Sequence, residues 1–354
     1  MKQTVAVLFG GCSSEHEISR LSAATILRNL SPEAYDTMAV GITKSGRWFL
    51  TPASPESIEN GSWENDPGNR QAFLSPDRGV HGLVLPQESG AAACVRVDVV
   101  IPALHGKNGE DGTVQGLLQL AGIPYVGCAA LASAVCMDKA VSHTLLSAAG
   151  IGQAKYLWFY ASDYESQADQ VRERIASELG GYPVFVKPAN AGSSVGVSKV
   201  ARAEELDGAV AKAAHEDWRV VIEEFIDGQE VECAVLGNEK PEAALVGEIG
   251  ASAEFYDYDD KYISGTSQLF IPARLSPETA EEVRRTACRA YRLLGCEGLA
   301  RVDFFVRGGS EVILNELNTL PGFTSISMYP KLWEACGLPC TALLDRLIAL
   351  AMER

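Results

Sequence analysis

The 354-residue chain lacks the signals of several protein classes. No segment reaches about 18 consecutive uncharged apolar residues, so the sequence predicts no membrane-spanning helix and no membrane partner. Lys and Arg total 30 against 46 Asp and Glu, which gives a net charge of −16. Because proteins that bind nucleic-acid phosphates usually present basic surfaces, this charge argues against a nucleic-acid partner. The apolar run near the N-terminus is short and ends in glycines, so no signal peptide is predicted.

The cysteines also lack the spacing of structural sites. None of the nine forms a CxxC pair, and the closest two, Cys336 and Cys340, lie in an apolar stretch that resembles a helix. The sequence therefore predicts neither a disulfide framework nor a zinc ribbon. Cysteines without disulfide or zinc-site spacing are typical of proteins of the reducing cytoplasm, where we expect this protein to reside.

Two common nucleotide-binding fingerprints are missing as well. There is no GxxxxGK[ST] loop, and the first predicted strand ends in GGCSSEHE instead of GxGxxG. Buried strands at 4–9, 37–42 and 98–104 nevertheless alternate with helices, and this alternation predicts an open parallel α/β sheet. A further strand is expected at 122–127 and a helix at 137–149.

Beyond residue 150 the pattern changes to short strands in two groups that flank helices, which predicts an α+β architecture. The predicted strands of this part are 156–159, 184–187, 196–200, 220–225, 231–236, 244–249, 299–306 and 311–318. The predicted helices are 163–179, 203–215, 277–294 and 340–352.

Polar residues follow two predicted strands of the N-terminal part. Glu15 lies in a Ser-Ser-Glu-His-Glu segment after Gly10 and Gly11, and His105 opens a loop with three glycines that leads into a helix. Ligands of open α/β sheets bind at the carboxyl ends of the strands, so both segments are candidate ligand contacts. A tight turn and an ordinary helix cap remain the alternatives.

A lysine followed by a glycine–serine loop marks the middle of the chain. Lys187 ends an apolar strand, and the loop that contains Gly192, Ser193, Ser194 and Gly196 joins it to the next strand. A lysine charge together with backbone amides and hydroxyls suits a triphosphate. Glu223 and Glu224 end a later strand, where backbone groups could meet an adenine edge. A solvated hairpin and an exposed sheet edge are the alternatives for these two segments.

Two pairs of polar residues near the C-terminus have the spacing of a β-strand face. Arg301 and Asp303 are two residues apart, as are Glu316 and Asn318, so each pair lies on one face of its strand. If the two strands form a hairpin, two carboxylates and an amide oxygen converge, and these are ligands that suit Mg²⁺. Arg301 beside them can stabilise developing negative charge. A surface ion-pair network is the alternative.

Together these segments resemble the D-alanine–D-alanine ligase family of the ATP-grasp superfamily. The resemblance extends over nearly the whole chain, from Gly10 to Pro330. It is carried by GGCSSEHEIS, LHGKNGEDGTVQG, GIPYVGC, MDK, KPANAGSSVG, EFYDYDDKY, RVDFF and NELNTLPGFTSISMYP.

The resemblance implies an ATP-grasp fold in three parts. Residues 1–125 would form the N-terminal α/β substrate domain that precedes the grasp, 126–215 a central subdomain, and 216–354 a C-terminal subdomain with the metal site and a mobile loop. The implied activity is ATP-dependent ligation of two D-alanine molecules through an acylphosphate, for peptidoglycan precursor synthesis. The implied protein is a cytoplasmic homodimer that uses two Mg²⁺ ions, which Mn²⁺ can replace.

Matched positions imply the roles of single residues. Glu15 would hold the ammonium of the first D-alanine, and Ser193 and Tyr262 would fasten the mobile loop to it. The implied catalytic residues are Glu15, Ser193, Lys261, Tyr262, Arg301 and Gly322, and the implied substrate-binding residues are His105, Ser327 and Met328. The implied ATP-binding residues are Lys139, Lys187, Ser194, Glu223, Glu224, Phe225, Ile226 and Glu230. The implied metal ligands are Asp303, Glu316 and Asn318.

Two alternative functions remain at this point. One is a D-alanine–D-serine or D-alanine–D-lactate ligase of the vancomycin-resistance type; serine-type enzymes tend to have arginine where Met328 stands, which favours D-alanine. The other is a nucleotide-binding regulator without turnover. The combination of Arg301, Asp303 and Glu316 with Asn318 and Lys261 argues against a site that has lost its activity.

Overall fold

The computed structural model describes residues 2–87, 89–250 and 268–354. Its helices are α1 (His16–Asn29), α2 (Pro55–Asn60), α3 (Thr113–Ala121), α4 (Ala130–Met137), α5 (Lys139–Ala148), α6 (Tyr164–Glu178), α7 (Leu206–Glu216), α8 (Pro277–Leu293), α9 (Met328–Ala335) and α10 (Cys340–Met352).

The strands of the first half are β1 (Gln3–Gly10), β2 (Tyr35–Ile42), β3 (Trp48–Thr51), β4 (Arg70–Gln71), β5 (Phe73–Leu74), β6 (Gly82–Pro86), β7 (Ala92–Arg96) and β8 (Val99–Pro102). Those of the second half are β9 (Tyr156–Tyr160), β10 (Val184–Pro188), β11 (Ser198–Val200), β12 (Arg219–Glu224), β13 (Gln229–Leu236), β14 (Glu242–Gly250), β15 (Gln268–Phe270), β16 (Leu299–Arg307) and β17 (Glu311–Asn318).

The N-terminal sheet has the strand order β4-β3-β2-β1-β8. Strand β1 runs parallel to both β2 and β8, while β3 pairs antiparallel with β2. Residues 5–10 of β1 are buried on both faces, as expected for a central parallel strand whose apolar run is continuous. The predicted open parallel α/β sheet is therefore confirmed, with an antiparallel edge added by β3 and β4.

A small antiparallel sheet of the order β5-β6-β7 shares a hydrophobic core with the N-terminal sheet, and two larger antiparallel sheets form the rest of the architecture. The central sheet has the order β11-β10-β12-β9, and the C-terminal sheet has the order β15-β14-β13-β16-β17. Strand β12 belongs to the central sheet by its pairing with β9 and β10, although the predicted boundary at 215 assigns its residues to the C-terminal part. The central sheet thus extends to Glu224, and the division into three domains stays a prediction.

Two predicted elements differ from the structure. The expected strand at 122–127 is reduced to one parallel bridge between Val100 and Tyr125, because Pro124 lacks a backbone N–H and glycines lie on either side. The expected helix at 137–149 begins instead at Lys139, since the side chain of Asp138 accepts a hydrogen bond from Val141 N at 3.0 Å and caps it. Helices α2, α4 and α9 were not predicted.

The hydrophobic cores tie the ends of the chain together. One core contains Val7 and Phe9 of β1 and also Leu343 and Leu347 of α10, so the C-terminal helix packs against the N-terminal sheet.

Among the described residues, no single helix has the length and apolar composition of a membrane span, and α9 and α10 meet that test only as a joined pair bent by 104°.

Candidate active site

One large cavity lies where the N-terminal, central and C-terminal sheets meet, and its volume is about 1110 Å³. Every predicted site residue within the described part of the chain lines it, although these residues come from widely separated elements. They are Glu15, His105, Lys139, Lys187, Ser193, Ser194, Glu223, Glu224, Phe225, Ile226, Glu230, Arg301, Asp303, Glu316, Asn318, Gly322, Ser327 and Met328. The predicted catalytic residues Lys261 and Tyr262 lie outside the described residues.

The predicted metal ligands lie on one face of the β16–β17 hairpin. Asp303 pairs in register with Glu316, and Arg301 pairs with Asn318. Along β16, Val302, Phe304 and Val306 are buried on the opposite face, so the alternation of the strand directs Arg301 and Asp303 to the cavity. The sequence predicts that these ligands converge if the two strands form a hairpin, and β16 and β17 do pair in this way.

Ion pairs connect this face. Arg301 donates to both carboxylate oxygens of Asp303 at 2.7 Å, and its Nε lies 3.1 Å from Glu232 Oε2. Asn318 Nδ2 donates to Asp303 Oδ2 at 2.9 Å, and Lys139 Nζ lies 3.8 Å from Glu316 Oε2. The charges of Arg301 and Lys139 therefore offset those of Asp303 and Glu316. This reduces the repulsion between the two carboxylates, which lie opposite each other on paired strands.

The donor set on this hairpin fits a hard divalent cation. It consists of two carboxylates and one amide oxygen, the ligand types that Mg²⁺ takes while it keeps several waters. Among the described residues, no group of three or more His, Cys, Asp and Glu side chains could hold a metal ion. The predicted metal site is not a group of this kind, because only two of its ligands are carboxylates and the third is the amide of Asn318.

A buried carboxylate lies between a lysine and a histidine at the other end of the cavity. Glu223 accepts from Lys187 Nζ at 2.6 Å and from His143 Nε2 at 2.9 Å. Burial alone would raise the pKa of Glu223, but the charge of Lys187 and the hydrogen bond and charge of His143 outweigh it and hold that pKa well below its usual range. Glu223 is consequently a carboxylate throughout the working pH range.

The N-terminal part of the site is joined to the glycine–serine loop. Ser193 Oγ donates a hydrogen bond to Glu15 Oε1. Ser193 and Ser194 both have positive φ angles, of 47° and 59°, which is an unusual backbone conformation for residues other than glycine. Gly106 also approaches Glu15 closely, since a Cβ at this position would lie 2.2 Å from Glu15 Oε2. The carboxylate of Glu15 is thus confined between two loops.

His105 is buried beside this carboxylate. Its Nδ1 donates to the carbonyl of Leu320 at 3.0 Å, and its Nε2 lies 2.8 Å from Ser22 Oγ. Burial lowers the pKa of His105, yet the hydrogen bond and charge of Glu110 and the charge of Glu15 reverse this effect and raise it. The imidazole therefore ties the N-terminal sheet to the segment that follows β17.

The segment after β17 closes the cavity. Ser327 Oγ accepts from Thr324 N at 3.0 Å, which orders the turn that precedes α9. Met328 begins α9 and is buried, and a Cβ on Gly247 would lie 2.5 Å from its Sδ. Gly322 lies on the cavity wall in the same segment.

Sequence reasoning missed three residues of this region. Glu232 lies two residues after Glu230 on β13, and its contact with Arg301 could have been sought from that alternation. His143 lies one helical turn after Lys139 and so on the same helix face, which was a usable signal. Gln153, the partner of His143, follows a turn and carries no signal in the sequence.

A lysine-bearing strand, a glycine–serine loop and a carboxylate-bearing hairpin around one cavity define an ATP-grasp enzyme. The model described as "D-ala D-ala ligase N-terminus" matches residues 4–128, and the model described as "D-ala D-ala ligase C-terminus" matches residues 145–349. The chain belongs to the D-alanine–D-alanine ligase family.

Individual relatives agree with this assignment. The D-alanine–D-alanine ligase of Caldicellulosiruptor bescii is 49% identical over 354 residues, which cover 100% of this chain and 96% of that protein. The solved VanG D-Ala:D-Ser ligase from Enterococcus faecalis has a TM-score of 0.90 and 41% identity, covering 99% of this chain and 100% of that one. The solved D-alanine–D-alanine ligase from Coxiella burnetii has a TM-score of 0.87 and 36% identity, and the match covers 100% of this chain and 94% of that one.

Proposed function

We propose that this protein joins two D-alanine molecules into D-alanyl-D-alanine at the expense of ATP, as a step in peptidoglycan precursor synthesis. The observation that carries the proposal is the convergence of the predicted site residues on one cavity. The family assignment agrees with it. The cavity has room for a nucleotide and two small amino acids, and paired cations and carboxylates lie at both ends of it.

The first step activates a carboxylate, which is a poor electrophile. A carboxylate oxygen of the first D-alanine attacks the γ-phosphorus of ATP, and ADP leaves. Lys139 and Lys187 bind the phosphates in this proposal, while Glu223 and the backbone of 224–226 hold the adenine and Glu230 the ribose. Asp303, Glu316 and Asn318 would hold Mg²⁺, which supplies positive charge to the transferring phosphoryl group.

The second step forms the peptide bond. The amine of the second D-alanine, after losing a proton, attacks the carbonyl carbon of the acylphosphate, and inorganic phosphate leaves the tetrahedral intermediate. Arg301 and the Gly322 amide stabilise the oxyanion. Glu15 holds the ammonium of the first D-alanine, which keeps the two reactants oriented for an effectively unimolecular reaction.

D-serine is the specific competitor for the second position, because a solved D-Ala:D-Ser ligase is among the close structural neighbours. The buried thioether of Met328 argues for D-alanine. A methyl group packs against a thioether, whereas a serine hydroxyl there needs a hydrogen-bonding partner and a thioether is only a weak acceptor.

The test is a competition experiment. Enzyme, ATP and Mg²⁺ are mixed with equal D-alanine and D-serine, and the dipeptides and ADP are quantified by mass spectrometry. We expect D-alanyl-D-alanine as the main product with one ADP per dipeptide. A predominant D-alanyl-D-serine product would assign the chain to the resistance-type ligases, and nucleotide binding without ADP release would make it a regulator.

We propose a cytoplasmic homodimer as the working form. All nine cysteines of the chain are free thiols, which agrees with a reducing compartment. Light scattering coupled to size-exclusion chromatography tests the dimer, and a monomer mass at assay concentrations would reject it.

A further inference from the structure

Four side chains form a continuous hydrogen-bonded row under the nucleotide end of the cavity. Gln153 contacts His143, His143 contacts Glu223, and Glu223 contacts Lys187. His143 lies on α5 and is 3% exposed by its side chain, and Glu223 is 6% exposed. Only Glu223 and Lys187 of this row line the cavity, so His143 lies behind them.

The orientation of the Gln153 amide is fixed by its neighbours. Gln153 Nε2 donates to the backbone carbonyl of His143 at 2.8 Å. A backbone carbonyl can only accept, so the amide nitrogen must lie on that side and Oε1 on the other. Gln153 Oε1 lies 2.7 Å from His143 Nδ1 and therefore accepts a hydrogen bond from it.

Both ring nitrogens of His143 consequently face acceptors. Nδ1 faces the amide oxygen of Gln153, and Nε2 lies 2.9 Å from Glu223 Oε1. A neutral imidazole has one N–H and one lone pair, so it satisfies only one of these two contacts. An imidazolium satisfies both. The ring of Tyr156 stacks on His143 at 4.5 Å between centroids and 16° between planes, an arrangement that favours a cation.

We propose that His143 is a positioning residue of the nucleotide site, held as an imidazolium that fixes Glu223 for recognition of the exocyclic amine of adenine. This inference rests on the proposed function, because it concerns the ATP of that reaction. The titratable groups that face His143 are Glu223 on β12 and Tyr156 on β9, and Lys187 on β10 acts through the second oxygen of Glu223.

The carboxylate of Glu223 has acceptor capacity left after these contacts. Lys187 binds Oε2 and His143 binds Oε1, while a carboxylate offers about four lone-pair sites in total. The adenine amine can donate to a remaining site, whereas the O6 acceptor of guanine would be repelled. Loss of the His143 proton would place a lone pair against Glu223 Oε1, displace the carboxylate and weaken ATP binding.

The test compares the pH dependence of the KM for ATP, between pH 6 and 9 at saturating D-alanine, in wild type and His143→Gln. Glutamine can donate to Glu223 at every pH. We expect the wild-type KM for ATP to rise by about tenfold from pH 6 to pH 9, which corresponds to the smallest contribution usual for a hydrogen bond to a charged group. The KM of His143→Gln should lack this tenfold rise. The titration of ATP itself cancels in the ratio between the two proteins.

His215→Gln is the matched control, since His215 is exposed on α7, and it should keep the wild-type profile. In wild-type protein labelled with ¹⁵N in histidine, NMR at pH 7 should show an attached proton on both ring nitrogens of His143. One protonated nitrogen, or equal pH profiles in wild type and His143→Gln, would overturn the inference. If no dipeptide forms, the proposed function fails instead. The pH dependence of ATP affinity in wild type and His143→Gln is then compared by calorimetry.

Discussion

Ser193 Oγ donates a hydrogen bond to Glu15 across 178 positions of the chain, and so joins the glycine–serine loop to the residue that precedes α1. The serine backbone has φ of 47°, and Glu15 is buried. An unusual backbone conformation that serves one polar contact indicates a loop shaped for a ligand.

Removing the Ser193 hydroxyl should reduce activity without loss of the fold. A hydrogen bond to a charged group contributes about 1.5–3 kcal/mol, so we expect kcat/KM for D-alanine to fall about tenfold or more in Ser193→Ala. Ser193→Gly relieves the positive φ but also lacks the hydroxyl. The prediction requires both variants to lose activity in an ADP-release assay, and wild-type activity in the glycine variant would show that the hydroxyl is dispensable.

A methyl group at residue 106 should displace Glu15. The Cβ of Gly106→Ala would lie 2.2 Å from Glu15 Oε2, and the φ of 67° is unfavourable for alanine. We expect a raised KM for D-alanine and a lower melting temperature. Gly116→Ala on α3 is the control, because its Cβ meets nothing within 4 Å and should stabilise the helix by about 0.5–1 kcal/mol. Unchanged kinetics in Gly106→Ala would contradict the proposed position of the first substrate.

Asp303→Ala should abolish ligation while the protein stays folded. We expect ADP release to fall by about 100-fold or more, the scale for losing one group that stabilises transferring charge. Arg301 keeps its contact with Glu232 at 3.1 Å, so the melting temperature should change little. EDTA should inactivate wild type, and Mg²⁺ or Mn²⁺ should restore it. Glu311→Ala, which removes an exposed ion pair with Arg307 on the same hairpin, should behave as wild type. Normal turnover by Asp303→Ala would remove the metal assignment.

The Glu248–Arg274 ion pair should make stability depend on pH. Hydrogen bonds from Arg274 lower the pKa of Glu248 below its usual 4.5 and outweigh the opposing effect of burial. A carboxyl whose pKa is lower in the folded state stabilises the protein above its unfolded pKa and loses this contribution as pH falls through the folded value. Glu248→Gln should therefore lower the melting temperature at pH 7, and its difference from wild type should shrink below pH 4.5. A difference that stays constant down to pH 3 would argue against the pair.

Local patterns in the sequence determined the type of most elements and the faces of the site strands. The alternation in β16 and β17 places Arg301 with Asp303 and Glu316 with Asn318, because side chains of a strand repeat every two residues. The cap at Asp138 is local as well, because its side chain accepts a hydrogen bond from the backbone of Val141, three residues later.

Only the tertiary structure decided which of these faces meet. The partners of Glu15, Glu223 and Arg301 come from other elements, at Ser193, His143 and Glu232. The sequence carries no periodicity that relates such positions, because their distances depend on how three sheets pack around a shared cavity and on the hydrophobic core that joins α10 to β1. The charge of a buried histidine likewise depends on acceptors supplied by distant segments, and packing alone brings those acceptors to its two ring nitrogens.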